Sequence, residues 1–270
     1  MSEDAATPAA SGAVEAPQPK PPQVVSITVS DVLRALAEGL RDMQRAPAKS
    51  LAFGLLYAAF GWLILFLMIR MEWGSYAYPF ATGFALVAPI AAVGLYDISR
   101  RLEKGQPVTW RGLFSCLFGP GSSQVRIMTV VSTFAYIIWL DIAAAIYVAF
   151  WGMQNIRFEN FFTNVLMSVR GILFLVIGNG IGAALAVTVF SIMAVSLPII
   201  YDRQVDFVTA MITSVKAVLK NPKPMLLWCA IIGFLLFLSL VSLFAGLIVV
   251  FPLLGHTTWH IYRKVVAPAA

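Results

Sequence analysis

Two histidines, His256 and His260, stand four residues apart near the end of the chain, a spacing that sets both imidazoles on one face of a helix. Such a pair is a candidate metal or haem ligand set; beside Trp259 and Tyr262 it equally suits a membrane–water interface. The second candidate is Asp141, the acidic residue in the middle of an apolar span (Tyr136 to Ile146). A carboxylate at such depth costs ~2.5–3.5 kcal/mol, so it must be paired, protonated or turned to water. Asn179 is its expected partner. It lies nine residues beyond Arg170, as Asp141 lies nine residues before Phe150, which puts both about 13 Å below the same face. Gly178, Gly180 and Gly182 surround the asparagine and permit close helix contact. An Asp141 to Asn179 hydrogen bond would tie the two spans together; the alternative is a proton or cation relay.

Beyond these residues the chain offers little chemistry. It has no HExxH, GxSxG, phosphate-binding or dinucleotide-binding motif, and Cys116 and Cys229 lack metal spacing and read as free thiols. The expectation is a protein that is no enzyme, holds no cofactor and binds no nucleic acid.

The elements that would position these residues follow from composition. Sixty percent of the 270 residues are apolar and 12% charged, where soluble domains carry about 25% charged residues. Hydrocarbon of ~30 Å needs about 20 apolar helical residues. Leu51 to Ile69, Tyr78 to Tyr96, Ile127 to Phe150 and Gly171 to Ile200 each satisfy that. Met225 to Tyr262 is too long for one helix and barely long enough for two. Lys and Arg accumulate on the cytoplasmic side. With six spans, all of the 19 but Arg70, Arg157 and Arg170 fall there; with five, Arg263 and Lys264 leave it. Six is the reading, five the alternative. Trp73, Tyr76, Tyr78, Trp151 and Phe158 mark the outer interface.

An internal repeat points the same way. Asp31 to Pro47 (DVLRALAEGLRDMQRAP) aligns without gaps on Asp206 to Pro222 (DFVTAMITSVKAVLKNP), and each precedes an apolar run. A weaker copy, Val108 to Phe114, precedes the middle run. Pro89 to Arg100 matches Pro252 to Arg263 at its landmarks, Tyr96-Asp97 against Trp259-His260, and Pro198 with Tyr201-Asp202 gives a tighter version.

The first copy predicts a helix capped by Ser30 and ended by Pro47. Val32, Leu33, Leu36, Leu40 and Met43 form its apolar stripe, opposite Arg34, Glu38, Arg41 and Arg45. The later copy is capped by Asp206 and stopped at Asn221-Pro222, with Phe207, Met211, Val215 and Val218 as the stripe and Lys216 and Lys220 facing away. Helices of this kind lie at headgroup level with their cations toward anionic lipid, or serve as a docking surface for a partner.

Ser196-Leu-Pro-Ile-Ile-Tyr-Asp202-Arg203, continuing through Asn221-Pro222-Lys-Pro-Met225-Leu-Leu-Trp228, with Ile27 to Asp31 and Pro89 to Asp97, resembles a bacterial integral-membrane family, domain of unknown function 2189, over everything after the tail. The resemblance implies a bacterial inner-membrane location and assigns no functional residue. Some members carry labels suggesting cytochrome c oxidase; an oxidase core needs several helix-borne histidines, and this chain has two.

The expected fold is therefore an all-α, polytopic membrane helical bundle with six transmembrane helices and three cytoplasmic interfacial amphipathic helices. Residues 1–26 are expected as a disordered cytoplasmic tail, 27–264 as a membrane domain of three helix-plus-hairpin units (27–104, 105–203, 204–264), and 265–270 as a short C-terminal tail. The expected role is membrane organisation, or assembly or association with another membrane complex or a second copy. A small-solute or proton-coupled transporter using Asp141 and Asn179 is the alternative.

Overall fold

The computed structural model describes residues 22–71, 77–84, 88–113, 123–152, 165–203 and 205–268. Every element among them is helical: α1 (Val29–Arg45), α2 (Pro47–Arg70), α3 (Ala77–Gly83), α4 (Ala88–Ala91), α5 (Val93–Glu103), α6 (Ser123–Trp151), α7 (Val169–Met193), α8 (Ser196–Arg203), α9 (Phe207–Lys220), α10 (Pro222–Val241) and α11 (Leu247–Val265). A single antiparallel bridge joins Val24 to Val266. Four helical stretches are long and apolar enough to cross a membrane: Pro47–Arg70, Ser123–Trp151, Val169–Arg203 and Pro222–Val241.

α11 is the hub. α1, α2, α5, α8 and α10 all pack on it, and Phe251, Trp259, Ile261, Tyr262 and Val265 of this helix are almost wholly buried. Its neighbours reach it through small residues, which let backbones approach closely. A Cβ at Gly54 would lie 2.1 Å from the Ile248 carbonyl oxygen, and one at Gly39 2.7 Å from the Thr257 nitrogen.

This closeness corrects the stripe expected for α1. Its buried residues are Val32, Ala35, Gly39 and Asp42, while Leu33 and Leu40 are exposed and Leu36 and Met43 half-buried. Against a neighbouring backbone the small side chain wins over the most apolar one. On α9 Ala210, Ser214 and Ala217, the aligned counterparts of Ala35, Gly39 and Asp42, are buried together with Val218 of the expected stripe; Phe207, Met211 and Val215 are half-buried, and Val208, Ile212 and Leu219 are exposed. The corners that follow are alike. Ala46 (φ −130°, ψ 53°) and Asn221 (φ −125°, ψ 55°) each turn the chain in one residue, and Pro47 and Pro222 then open α2 and α10, where their missing N–H costs nothing. Pro47 thus starts a helix as well as ending one. The cap of α1 is Thr28, not Ser30: its N–H and hydroxyl both donate to Asp31 Oδ2, at 2.8 and 2.7 Å. Asp206 caps α9 as expected, accepting from the Thr209 N–H at 2.9 Å.

The second apolar block carries α3, α4 and α5 among the described residues, with Pro89 inside α4 and Ala92 between α4 and α5. The Tyr57 hydroxyl donates to the Phe84 carbonyl at 2.6 Å. The last block does divide in two. A turn over residues 242–246 joins α10 to α11, with Leu243 and Phe244 both at positive φ (51° and 66°).

The two ends of the described residues meet. Val25 N–H donates to the Val265 carbonyl and Ala267 N–H to the Gln23 carbonyl, both at 2.9 Å. Asn221 clamps the same segment, accepting from Ile27 N–H at 2.8 Å and donating to the Val25 carbonyl at 3.0 Å. Residues 23–25, expected in the free tail, are therefore tied to 265–267.

Candidate functional site

The chemistry-bearing side chains gather where α1, α5, α8 and α11 meet, and they form two connected groups. The first surrounds the histidines. His256 is fully buried, with Nε2 2.9 Å from Ser50 Oγ and Nδ1 2.8 Å from Ser99 Oγ. One turn on, His260 Nε2 donates to Asp42 Oδ2 at 2.7 Å, and its Nδ1 lies 3.5 Å from Glu38 Oε2. Lys264 closes the row on Glu38 at 3.0 Å. Burial works against the Asp42 charge, but hydrogen bonds from His260 and Ser99 and the nearby imidazole charge outweigh it and hold the carboxyl below its usual value.

Ser50 and His256 have two elements of an activated nucleophile, yet Ser50 is fully buried. Every ring nitrogen of the two histidines faces a partner from this chain, and the two rings face different partners. The arrangement is a tie between α1, α2, α5 and α11. Among the described residues no group of three or more His, Cys, Asp or Glu could hold a metal ion.

The second group joins α5, α8 and α11. Asp97, 2% exposed, accepts from Arg101 Nε at 2.7 Å and from the Tyr201 hydroxyl. Asp202 accepts from the Tyr262 hydroxyl at 2.7 Å and lies 3.3 Å from Arg100 Nε and 3.6 Å from Arg263 Nη1. Glu103 accepts from Arg263 Nη2 at 2.8 Å and from Trp259 Nε1 at 3.2 Å. The Arg100 guanidinium also sits 5.3 Å over the Tyr201 ring. The three aromatic–polar landmarks, Tyr96-Asp97, Tyr201-Asp202 and Trp259-His260, thus mark the three helices that interlock here.

Asp141 and Asn179 do not pair. Both are exposed; Asn179 turns its amide back to the Leu175 carbonyl at 2.8 Å, and Asp141 has no hydrogen-bond or ion-pair partner among the described residues. Depth along two helices is set by residue count, but the pair also needs matching helix rotation, which the count leaves open. Gly182 alone of the three glycines packs closely, against the Trp139 ring; Gly178 and Gly180 meet no atom within 4 Å. Arg34, Arg41, Arg45, Lys216 and Lys220 are exposed as expected, and Lys220 also donates to the Val24 carbonyl at 2.8 Å. Cys229 is a half-buried free thiol. Cys116, Phe158, Trp73 and Tyr76 lie outside the described residues.

Sequence reasoning passed over Asp42, Ser50 and Ser99. The available signal was Asp42 itself, an acid on the same helical face as Val32, Ala35 and Gly39.

Residues 77–202 match the model of a family described as "Predicted integral membrane protein (DUF2189)", the family the sequence resembles, over a narrower range than the resemblance suggested. The match runs from the start of α3 to Asp202 and takes in Asp97 and Tyr201. No curated protein and no solved structure matches the chain. The chain is an integral, multi-pass membrane protein of unknown function.

Proposed function

We propose that this membrane protein has a structural, non-enzymatic role in the bacterial inner membrane, associating with another membrane protein or a second copy through the outer face of α6. The observation that carries the reading is Asp141. It sits on an exposed apolar stripe with Val130, Phe134, Ile137 and Val148, about 15 Å from one end of α6 and about 27 Å from the other. A carboxylate facing hydrocarbon there is costly, and a donor on a partner helix relieves the cost. The residues suited to catalysis are meanwhile spent on ties within the chain.

Six spans in three related units, with both ends and the basic helices in the cytoplasm, fit this role. The paired chain ends favour an even number of crossings, and α10 with α11 supplies a final hairpin. Against transport through Asp141 and Asn179 stands the exposure of both.

The test is Asp141→Leu in the full-length protein purified from its own membrane. The expected result is loss of the associated species, read by cross-linking and size, with an unchanged or higher melting temperature. Unaltered association would sink the proposal. So would solute or proton flux in proteoliposomes that vanishes on Asp141→Asn.

A further inference from the structure

A cavity of about 370 Å³ lies between α2, α3, α5, α7, α10 and α11, within the size range of small-molecule sites. It follows α10 from Trp228 to Leu240, about 18 Å along the helix axis at 1.5 Å per residue. That length is close to one leaflet, half of the ~30 Å hydrocarbon core.

The cavity has two unlike ends. At one end the walls include Tyr96, Trp228, Cys229 and Thr258; toward the other they include Phe84, Leu236, Phe244 and Leu247, with Tyr57 and Ser239 there already bonded to the Phe84 and Leu235 carbonyls. Trp228 is fully buried, and its Nε1–H has no acceptor. A buried N–H left without an acceptor is costly, and this one belongs to a ring that lines the cavity.

On α10 the lining residues Gly233 and Phe237 are themselves exposed, as is Ala186 on α7. The cavity is therefore bordered by surface that faces lipid. Its polar end is also the end nearest Lys216 and Lys220 of α9 and Lys223 at the start of α10, where an anionic headgroup is favoured.

We infer that this cavity holds one acyl chain of an anionic phospholipid, with the headgroup toward Lys216, Lys220 and Lys223 and the chain running along α10 toward Phe244. The inference needs the chain only to lie in a membrane. It is independent of the α6 face and of any partner there.

Delipidated full-length protein in detergent, titrated with dioleoyl phosphatidylglycerol and followed by native mass spectrometry, tests it. The expected result is saturation at one tightly held lipid per chain. Gly233→Phe should abolish it without lowering the melting temperature, because an added Cβ there meets no atom within 4 Å. Ala186→Phe closes the cavity from the α7 side and should do the same. The assignment is overturned if no lipid binds saturably, if both filling variants bind like the wild type, or if decylubiquinone, a short-chain quinone, displaces the lipid at lower concentration than the lipid itself binds.

Discussion

At the scale of single residues, the titratable groups of this chain are used as fasteners. Asp42 is the clearest case: 5% exposed, it accepts from His260 Nε2 at 2.7 Å. Removing one partner of a buried charged pair leaves the other uncompensated. Asp42→Ala should therefore cost about 2–4 kcal/mol, read as a lower melting temperature in detergent. The pH dependence has a fixed sign. With the folded carboxyl held below its ordinary value of 3.8, its contribution is complete above that value and is lost as pH falls through the lower, folded one. Acid melting curves of wild type and Asp42→Asn should differ in slope only below about pH 4; a difference centred near neutrality would mean that another group dominates. Asp202 is the corresponding fastener of the second group. Arg100→Ala and Arg263→Ala should each destabilise less in an Asp202→Ala background than alone, a coupling of about 0.5–3 kcal/mol in a double-mutant cycle.

At the scale of elements, close approach decides which residues matter. A side chain at Gly54 or Gly39 meets the α11 backbone, at the Ile248 carbonyl or the Thr257 nitrogen, and backbone cannot swing aside. Gly54→Leu is expected to destabilise by at least ~2 kcal/mol. Gly180→Ala, at a position with no atom within 4 Å, should be neutral or stabilising by up to ~1 kcal/mol, through the lower conformational entropy of alanine. Equal effects on melting temperature would refute this account of the α2–α11 crossing. The two amphipathic helices follow the same logic. Each has a face of small residues against the bundle, an exposed apolar face, Leu33 and Leu40 on α1 and Val208 and Ile212 on α9, and exposed cations beyond it. That order suits a helix lying at the headgroup level with a bundle on one side.

At the scale of the whole molecule, the pairing of 23–25 with 265–267 closes the fold on itself and sets both ends of the described chain on one face. A Gln23→Cys, Ala267→Cys double variant should cross-link under mild oxidation. The single variants should react with an impermeant thiol reagent from the same side of the membrane. Labelling from opposite sides would rule out an even number of crossings.

Much of this was written locally. Apolar length gave the long helices α2, α6, α7 and α10, and the aligned Asp31 and Asp206 segments gave two amphipathic helices with matching corners, because span length, capping and proline placement depend on residues near in sequence. The landmark pairs at Asp97, Asp202 and His260 were visible as a pattern. What they do was not, since Arg100 meets Asp202, and Ser50 meets His256, only after helices far apart in the chain have packed. For the same reason Asp141 and Asn179 looked like partners by depth and are not, and α1 buries Ala35, Gly39 and Asp42 beside Val32 while Leu33 and Leu40 stay exposed. Helix rotation and close approach are properties of a pair of helices, and a single segment does not contain them. The tertiary structure alone decided which polar groups tie the bundle together, which face outward, and where a cavity with an unanswered Trp228 N–H is left between them.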